Sequence, residues 1–477
     1  MADRRPLVLD VDGTFLRTDM LFESFWAGLG TAPIATIKAA FANLRRPAAL
    51  KAALYDIAPI RADLLPVNPA LAEIAKGAQE EGREVILASA SDGRLVDRLA
   101  RAHGFDGALG STAEINLKGA NKAEALVAEY GDKGFIYAGD HTSDMEIWTH
   151  ASHAVVVGRA GGAARKLAQT GHGVTEIPGG WRIADLFKAI RPHQWVKNVL
   201  LILPMIAAHN FDLSTLLLVC IGIAAFSAAA SCIYLVNDLL DLEADRLHPK
   251  KCKRPFASGA VPIRVGMVAT LVLALIALGL GWYLGTGFLI VVIIYMTLSL
   301  AYSLRLKRMR WVDIFTLATL YTLRVVAGAA ASGVDASVFM LIFIFPIFVT
   351  LGCVKRLTEL TLATNDDRLP GRGYGRPDRE DLLNVSGLGM AGALVIFFLY
   401  SLSAQAQALY PTQWLLWVAL IPIAWWLLRM IRLGWYGKQD YDPIVFALKD
   451  KRGVGLLLMT LALMFYAAGL WQEWFGF

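Results

Sequence analysis

Asn237-Asp238-Leu239-Leu240-Asp241-Leu242-Glu243-Ala244-Asp245-Arg246-Leu247-His248-Pro249 closes an apolar run that begins near Leu216. The run is long enough to cross a bilayer, so four acids and an amide stand at the mouth of an expected membrane helix. Asn237, Asp241 and Asp245 are four residues apart and share one helical face. Ionisable groups at membrane depth are costly and mark function. Carboxylates gathered on one face can hold Mg²⁺, and Mg²⁺ can hold a diphosphate. A solvated helix end would also place acids after an apolar run. Asn and Asp, however, are poor helix formers to recur on successive turns of one face.

The apolar character is unevenly spread along the 477 residues. The chain is 56% hydrophobic, with a mean hydropathy of +0.49, yet residues 1–180 read as a soluble domain. Residues 196–477 read as an all-α polytopic membrane bundle, and residues 181–195 as a linker with a possible interfacial helix. Nine apolar spans are expected near 196–211, 214–236, 262–283, 286–304, 311–332, 336–354, 384–406, 411–431 and 453–472. Basic loops follow the even-numbered spans, with Lys250, Lys251, Lys253 and Arg254, then Arg305, Lys307, Arg308 and Arg310. Next come Lys355, Arg356, Arg368, Arg372 and Arg376, and last Arg429, Arg432 and Lys438. The intervening loops carry no Lys or Arg. This places the basic loops and the N-terminal domain in the cytoplasm and the C-terminus outside. The net charge of +6 then belongs to topology, and nucleic acid is not an expected partner. The four cysteines, Cys220, Cys232, Cys252 and Cys353, show neither a disulfide framework nor zinc spacing. No long apolar stretch follows the start, so no signal peptide is expected.

Within residues 1–180, short apolar runs end in polar residues. Leu7-Val8-Leu9 runs into Asp10-Val11-Asp12-Gly13-Thr14, and Val85-Ile86-Leu87-Ala88 into Ser89. Phe135 to Ala138 runs into Gly139-Asp140, with Asp144 following, and Ala154 to Val157 is a fourth run. Helical patterns at Asn68–Glu81 and Asn121–Tyr130 alternate with them. That alternation predicts an α/β Rossmann-like parallel sheet whose chemistry lies at the strands' carboxyl ends. A nucleophilic carboxylate, a second acid two residues on, a hydroxyl, an ammonium and further acids suit phosphoryl transfer. Lys122 is preferred over Lys118 for the ammonium because it opens a helix.

The set resembles the haloacid dehalogenase-like hydrolases over residues 5–180. That resemblance implies an aspartyl-phosphate on Asp10 and general acid–base work by Asp12. It implies phosphate binding by Ser89 and Lys122, and Mg²⁺ held by Asp10, Asp140 and Asp144, with Asp12 counted among the metal residues. The insert from Thr18 to Pro66 reads as a small helical cap.

The membrane half resembles the UbiA-type intramembrane prenyltransferases, whose first acidic motif matches Asn-Asp-x-x-Asp-x-x-x-Asp at 237–245. The second motif of that family, Asp-x-x-x-Asp, is broken here, since Asp313 is followed four residues on by Leu317. Arg191-Pro-x-Gln-Trp-x-Lys197-Asn198, His248-Pro-x-Lys251, Tyr302-Ser-x-x-Leu-Lys307 and Lys355-Arg356-x-x-Glu359 resemble the branch of polyprenyl-phosphate (decaprenyl-phosphate) phosphoribosyltransferases. The substrates so implied are phosphoribosyl diphosphate and a polyprenyl phosphate. Asn237, Asp238 and Asp241 would hold Mg²⁺, with Asp238 and Asp241 catalytic. Lys197, Asn198, Asn237, Asp245, Lys250, Arg254, Tyr302, Lys307, Asp313, Arg324, Lys355, Arg356 and Glu359 would bind substrate. A bifunctional enzyme of the cytoplasmic membrane is expected, with the phosphatase removing the 5-phosphate of the transferase product. Prenyl transfer to an aromatic acceptor, a non-catalytic soluble module and a transporter are the competing classes. The sequence does not set the oligomeric state.

Overall fold

The structure is a computed structural model. It describes residues 4–476 except 113, 159, 161, 335–336, 364–368, 370–371 and 440–441, so Arg368 lies outside the described residues. The chain divides into two compact units. One is Met1–Ile190 with Tyr234–Leu271, and the other is Arg191–Ile233 with Val272–Phe477.

The first unit is built on six parallel strands, β1 (Leu7–Asp10), β2 (Val85–Asp92), β3 (Gly107–Ser111), β4 (Ile136–Gly139), β5 (His153–Val157) and β6 (Gly173–Ile177), in the order β3-β2-β1-β4-β5-β6. Leu7 pairs with Val85 on one side and with Ile136 on the other, which makes β1 the buried centre. Its side chains are fully enclosed, as continuous apolar strands of a parallel sheet must be. The expected apolar runs became β1, β2, β4 and β5. Five residues of the glycine-rich stretch from Thr170 to Gly180 form β6. Helices Pro69–Glu80 and Ala120–Tyr130 stand where helical periodicity placed them.

The expected cap is present as α1 (Met20–Thr31), α2 (Pro33–Ala42) and α3 (Pro47–Ile57). Asp19 caps α1 by accepting the Leu21 N–H at 2.9 Å, and Pro33 and Pro47 open the next two helices. The stretch expected to be interfacial forms a helix over Ile183–Ala189 that exposes Ile183 and Phe187.

Seven helices among the described residues are long and apolar enough to cross a membrane. They are Leu213–Leu240, Ile263–Leu284, Thr286–Leu304, Val312–Ser332, Val338–Leu362, Arg376–Ser401 and Trp414–Trp435. Two of the nine expected spans do not reach that length. Residues 196–211 form a 3₁₀ helix over Pro192–Ile202 and a short helix over Leu203–Ala207, with Pro204 at its start. Residues 453–472 give a helix of 17 residues, Lys451–Ala467. At about 1.5 Å per residue it falls short of a core roughly 30 Å thick, and the chain turns at Gly469, whose φ is +76°.

Candidate active sites

The carboxyl ends of β1, β2 and β4 converge, as their register requires. Asp10 ends β1, and its Oδ1 accepts a hydrogen bond from Lys122 Nζ at 2.5 Å. Lys122 is almost fully buried and also donates to the Ala88 carbonyl at 3.1 Å and the Tyr137 hydroxyl at 3.2 Å. The carboxylate is thereby paired and aimed, which is what a buried nucleophile needs. Lys118, by contrast, is exposed.

Asp12 turns away from Asp10. Its Oδ1 accepts the Met20 N–H at 2.7 Å at the head of α1, and its Oδ2 accepts Ser89 Oγ at 3.0 Å and Ser91 Oγ at 2.8 Å. Burial pushes its carboxyl above the usual range.

Asp10, Asp140 and Asp144 offer oxygens that all lie within 4.8 Å of one another. Burial, and then the charges of Asp10 and Asp144, push Asp140 up to about 7; burial and then Asp10 push Asp144 up to about 6. Three carboxylates crowded this closely fit a divalent cation such as Mg²⁺. Asp12, expected among the metal residues, lies outside this group because both its oxygens serve Met20, Ser89 and Ser91. Gly13, at φ +84°, is needed here, since a Cβ on it would stand 2.4 Å from Asp140 Oδ2. Ser91 was not anticipated from sequence.

The acidic motif also belongs to the first unit. The long helix ends at Leu240, and Asp241 interrupts it at φ −100° and ψ 15° before the short helix Leu242–Leu247. The four-residue ladder survives the break, with Asp241 N–H bonded to the Asn237 carbonyl at 3.0 Å and Asp245 N–H to the Asp241 carbonyl at 2.7 Å. Arg254 places Nη1 at 3.1 Å from Asp238 and 2.7 Å from Asp245, both buried. A guanidinium thus lies between Asp238 and Asp245. Two acceptors nevertheless stay open. Asn237 Oδ1 and Asp245 Oδ1 are buried without a hydrogen-bond donor. Orphaned acidic oxygens suit a cation, so the donor set fits Mg²⁺, with Asp245 offering an open oxygen. Lys250 is exposed, and its backbone N–H bonds to His248 Nδ1 at 3.1 Å.

In the second unit the expected residues fall into three groups. Asp313, fully buried, accepts from Tyr302 Oη at 2.8 Å, from Arg356 Nε at 2.5 Å and Nη2 at 2.8 Å, and from Arg372 Nη1 at 3.4 Å. Arg356 also pairs with Glu359 three residues on. Lys197 and Lys355 share Asp442, which the sequence did not single out. Against the burial that would raise it, these two ammoniums hold the Asp442 carboxyl down at about 2. Lys355 and Arg356 are neighbours on helix Val338–Leu362, so the first two groups adjoin.

The third group is Asn198 and Arg324. Asn198 donates to Ser227 Oγ at 2.8 Å and accepts from Arg324 Nε at 3.1 Å. Arg324 further donates to the Leu320 carbonyl at 2.6 Å and to Tyr295 Oη at 3.1 Å, and its guanidinium lies 4.9 Å from the Tyr295 ring. Arg324 thus faces the bundle interior as expected, but its donors are spent on protein groups. Lys307 lies half-buried in the short helix Leu306–Arg308.

Residues 199–449 match the model of the UbiA prenyltransferase family. An uncharacterized protein, y4nM, of Sinorhizobium fredii is 33% identical over 97% of this chain and 91% of its own length. The decaprenyl-phosphate phosphoribosyltransferase of Mycobacterium tuberculosis is 33% identical over 60% of this chain and 93% of its own. The nodulation protein NoeC of Azorhizobium caulinodans is 32% identical over 58% of this chain and 92% of its own. The acidic motif at 237–245 lies within the matched residues, and the match spans more than half of the chain: the chain belongs to the UbiA prenyltransferase family.

Proposed function

We propose that the chain is a bifunctional enzyme of the cytoplasmic membrane. Residues 196–477 transfer 5-phosphoribose from phosphoribosyl diphosphate to a polyprenyl phosphate. Residues 1–180, joined through 181–195, remove the 5-phosphate and leave polyprenyl-phosphoryl-ribose. The observation that carries the reading is the state of Asp313. Tyr302, Arg356 and Arg372 surround it, so it serves as an anchor for cations. Ordinary members of the family use two acidic motifs, and this chain keeps one. The likeness to the M. tuberculosis enzyme over nearly all of that protein's length points the same way.

In the transfer, an oxygen of the lipid phosphate attacks C1 of the ribose while the bond from C1 to the diphosphate oxygen breaks. Diphosphate leaves with its electron pair. The nucleophile is already ionised, so no general base is needed. Lys197, Lys355, Arg356 and Arg372 supply positive charge for phosphate oxygens. Asn237, Asp238 and Asp241 would hold Mg²⁺, with the open oxygen of Asp245 beside them, and the ion would supply charge neutralisation for the leaving diphosphate.

In the hydrolysis, the Asp10 carboxylate attacks the phosphorus and the bond to the C5 oxygen breaks. Asp12, raised by burial and therefore able to carry a proton, gives it to that oxygen. Water then splits the aspartyl-phosphate as Asp12 takes the proton back. Lys122 neutralises the phosphate, and Asp10, Asp140 and Asp144 would hold Mg²⁺. The alternation of basic loops supports a cytoplasmic face for both sites, where the soluble donor is supplied.

Mass spectrometry of lipid products tests this, with purified chain, Mg²⁺, phosphoribosyl diphosphate and a polyprenyl phosphate. Wild type should give polyprenyl-phosphoryl-ribose, and Asp10→Asn its 5-phosphate. Absence of any ribosylated lipid from both proteins would overturn the transferase reading in favour of prenyl transfer.

A further inference from the structure

The cap carries an uncovered apolar face. On α2, Ile34 is 71% exposed, Ile37 45% and Phe41 72%, and Leu44 in the turn that follows is 69% exposed. Spaced at three and four residues, they line one side of the helix. Lys38, Arg45 and Arg46, all exposed, flank that side. From Ser24 to Tyr55 the chain has no acidic residue. A soluble hydrolase has no use for such a helix in water.

Where α2 lies is set by its neighbour. A Cβ on Gly30, near the end of α1, would stand 3.8 Å from the carbonyl oxygen of Leu240, the last residue of the helix Leu213–Leu240. Two turns earlier on α1, buried Glu23 is paired with Arg246 at 2.5 Å. Thr18 Oγ1 donates to the same carboxylate at 2.6 Å. At the base of the cap, a Cβ on Gly259 would come within 2.6 Å of Arg17 Cβ. The cap therefore sits against the end of the helix Leu213–Leu240, which is long and apolar enough to cross a membrane, and α2 begins three residues after Gly30.

We propose that α2 lies in the cytoplasmic leaflet of an anionic bilayer, with Ile34, Ile37, Phe41 and Leu44 among the acyl chains and Lys38, Arg45 and Arg46 on lipid phosphates. The cap then receives a lipid-linked phosphomonoester without the lipid leaving the membrane. This rests on the phosphatase reading of residues 1–180 for its purpose, though the membrane contact is measured independently of it. A second copy of the chain is the other apolar occupant, but a basic rim without acids does not complement itself.

The test uses the full chain in nanodiscs of phosphatidylethanolamine and phosphatidylglycerol. Phe41→Cys carries a nitrobenzoxadiazole label in a background of Cys220→Ser and Cys252→Ser, since the other two cysteines are buried. Doxyl-labelled lipid should quench the label and aqueous iodide should not. Quenching by iodide alone would overturn the proposal, and shielding from both would assign the face to a second copy. Ile37→Glu combined with Phe41→Glu should lower dephosphorylation of the lipid-linked substrate about tenfold and leave hydrolysis of p-nitrophenyl phosphate unchanged. Equal rates on the lipid substrate would also overturn the proposal. Failure of the wild type to hydrolyse p-nitrophenyl phosphate would sink the phosphatase reading, with the quenching result still deciding where α2 lies.

Discussion

Asp442 is the counter-charge for two buried ammoniums, and Asp442→Asn removes it at nearly constant volume. Lys197 pairs with it directly and Lys355 lies 3.9 Å away. At an effective dielectric constant of about 20, two unit charges at that separation attract by about 4 kcal/mol. Breaking a buried pair from one side costs about 3–5 kcal/mol, because the partner is left buried and unpaired. For a domain of this size roughly 2 °C is lost per kcal/mol, so the variant should melt about 6–10 °C below wild type. The same change leaves the site more positive. Phosphoribosyl diphosphate should therefore stabilise Asp442→Asn more than it stabilises wild type, since it restores the lost negative charge. Tryptophan-fluorescence melts in detergent, with and without the ligand, give both quantities. A melt within about 1 °C of wild type, or equal ligand shifts for the two proteins, would refute the counter-charge argument.

Asp10→Asn should abolish hydrolysis of p-nitrophenyl phosphate while the ribosylated lipid still forms; both are read from one preparation. Gly13→Ala should cut the same hydrolysis by about 10²-fold or more, through the clash with Asp140 and the positive φ, without changing transfer. Arg246→Ala strands buried Glu23, which should lower the melting temperature of the first unit, whereas Glu23→Gln with Arg246→Met should restore most of it; unequal recovery would be seen in the same melts. Arg356→Lys replaces a fork that reaches both Asp313 and Glu359 with a single ammonium. It should cost about tenfold or more in transfer rate.

Much of the first unit was legible because its signals are local. The runs at Leu7, Val85, Ile136 and Ala154 are apolar on both faces, as central parallel strands are, and the first three delivered a polar residue to the sheet's carboxyl edge. Strands β3 and β6 escaped because they are edge strands of mixed, glycine-bearing sequence, Gly-Ala-Leu-Gly-Ser and Gly-Val-Thr-Glu-Ile. Half-exposed edges need no continuous apolar run. The membrane half was readable as composition and charge alternation, but not as contacts. Asp442 precedes Pro443 and looks like an ordinary helix cap, a role it also fills by accepting the Ile444 N–H at 3.2 Å. Its pairing with Lys197 joins residues far apart in sequence, and no local pattern encodes that. The same holds for Glu23, an unremarkable acid in the cap until Arg246 is placed beside it.

That pair bears on why the two halves share a chain. Tyr234–Leu271, which carries the acidic motif and the loop after it, groups with residues 1–190. Arg246 follows Asp245 directly, and Arg254 on the same loop links Asp245 to Asp238. Glu23 therefore lies one residue away, through Arg246, from a carboxylate of the motif. It also lies on the helix whose Met20 N–H binds Asp12. A short run of contacts joins Asp12 to the acidic motif: Asp12 to the head of α1, α1 to Glu23, Glu23 to Arg246, and Arg246 to Asp245. Two domains on a flexible tether would gain only effective concentration from being fused. A cap packed on the acidic motif itself gives the fusion a structural reason, because removing residues 1–190 would strip the buried partner Glu23 from Arg246.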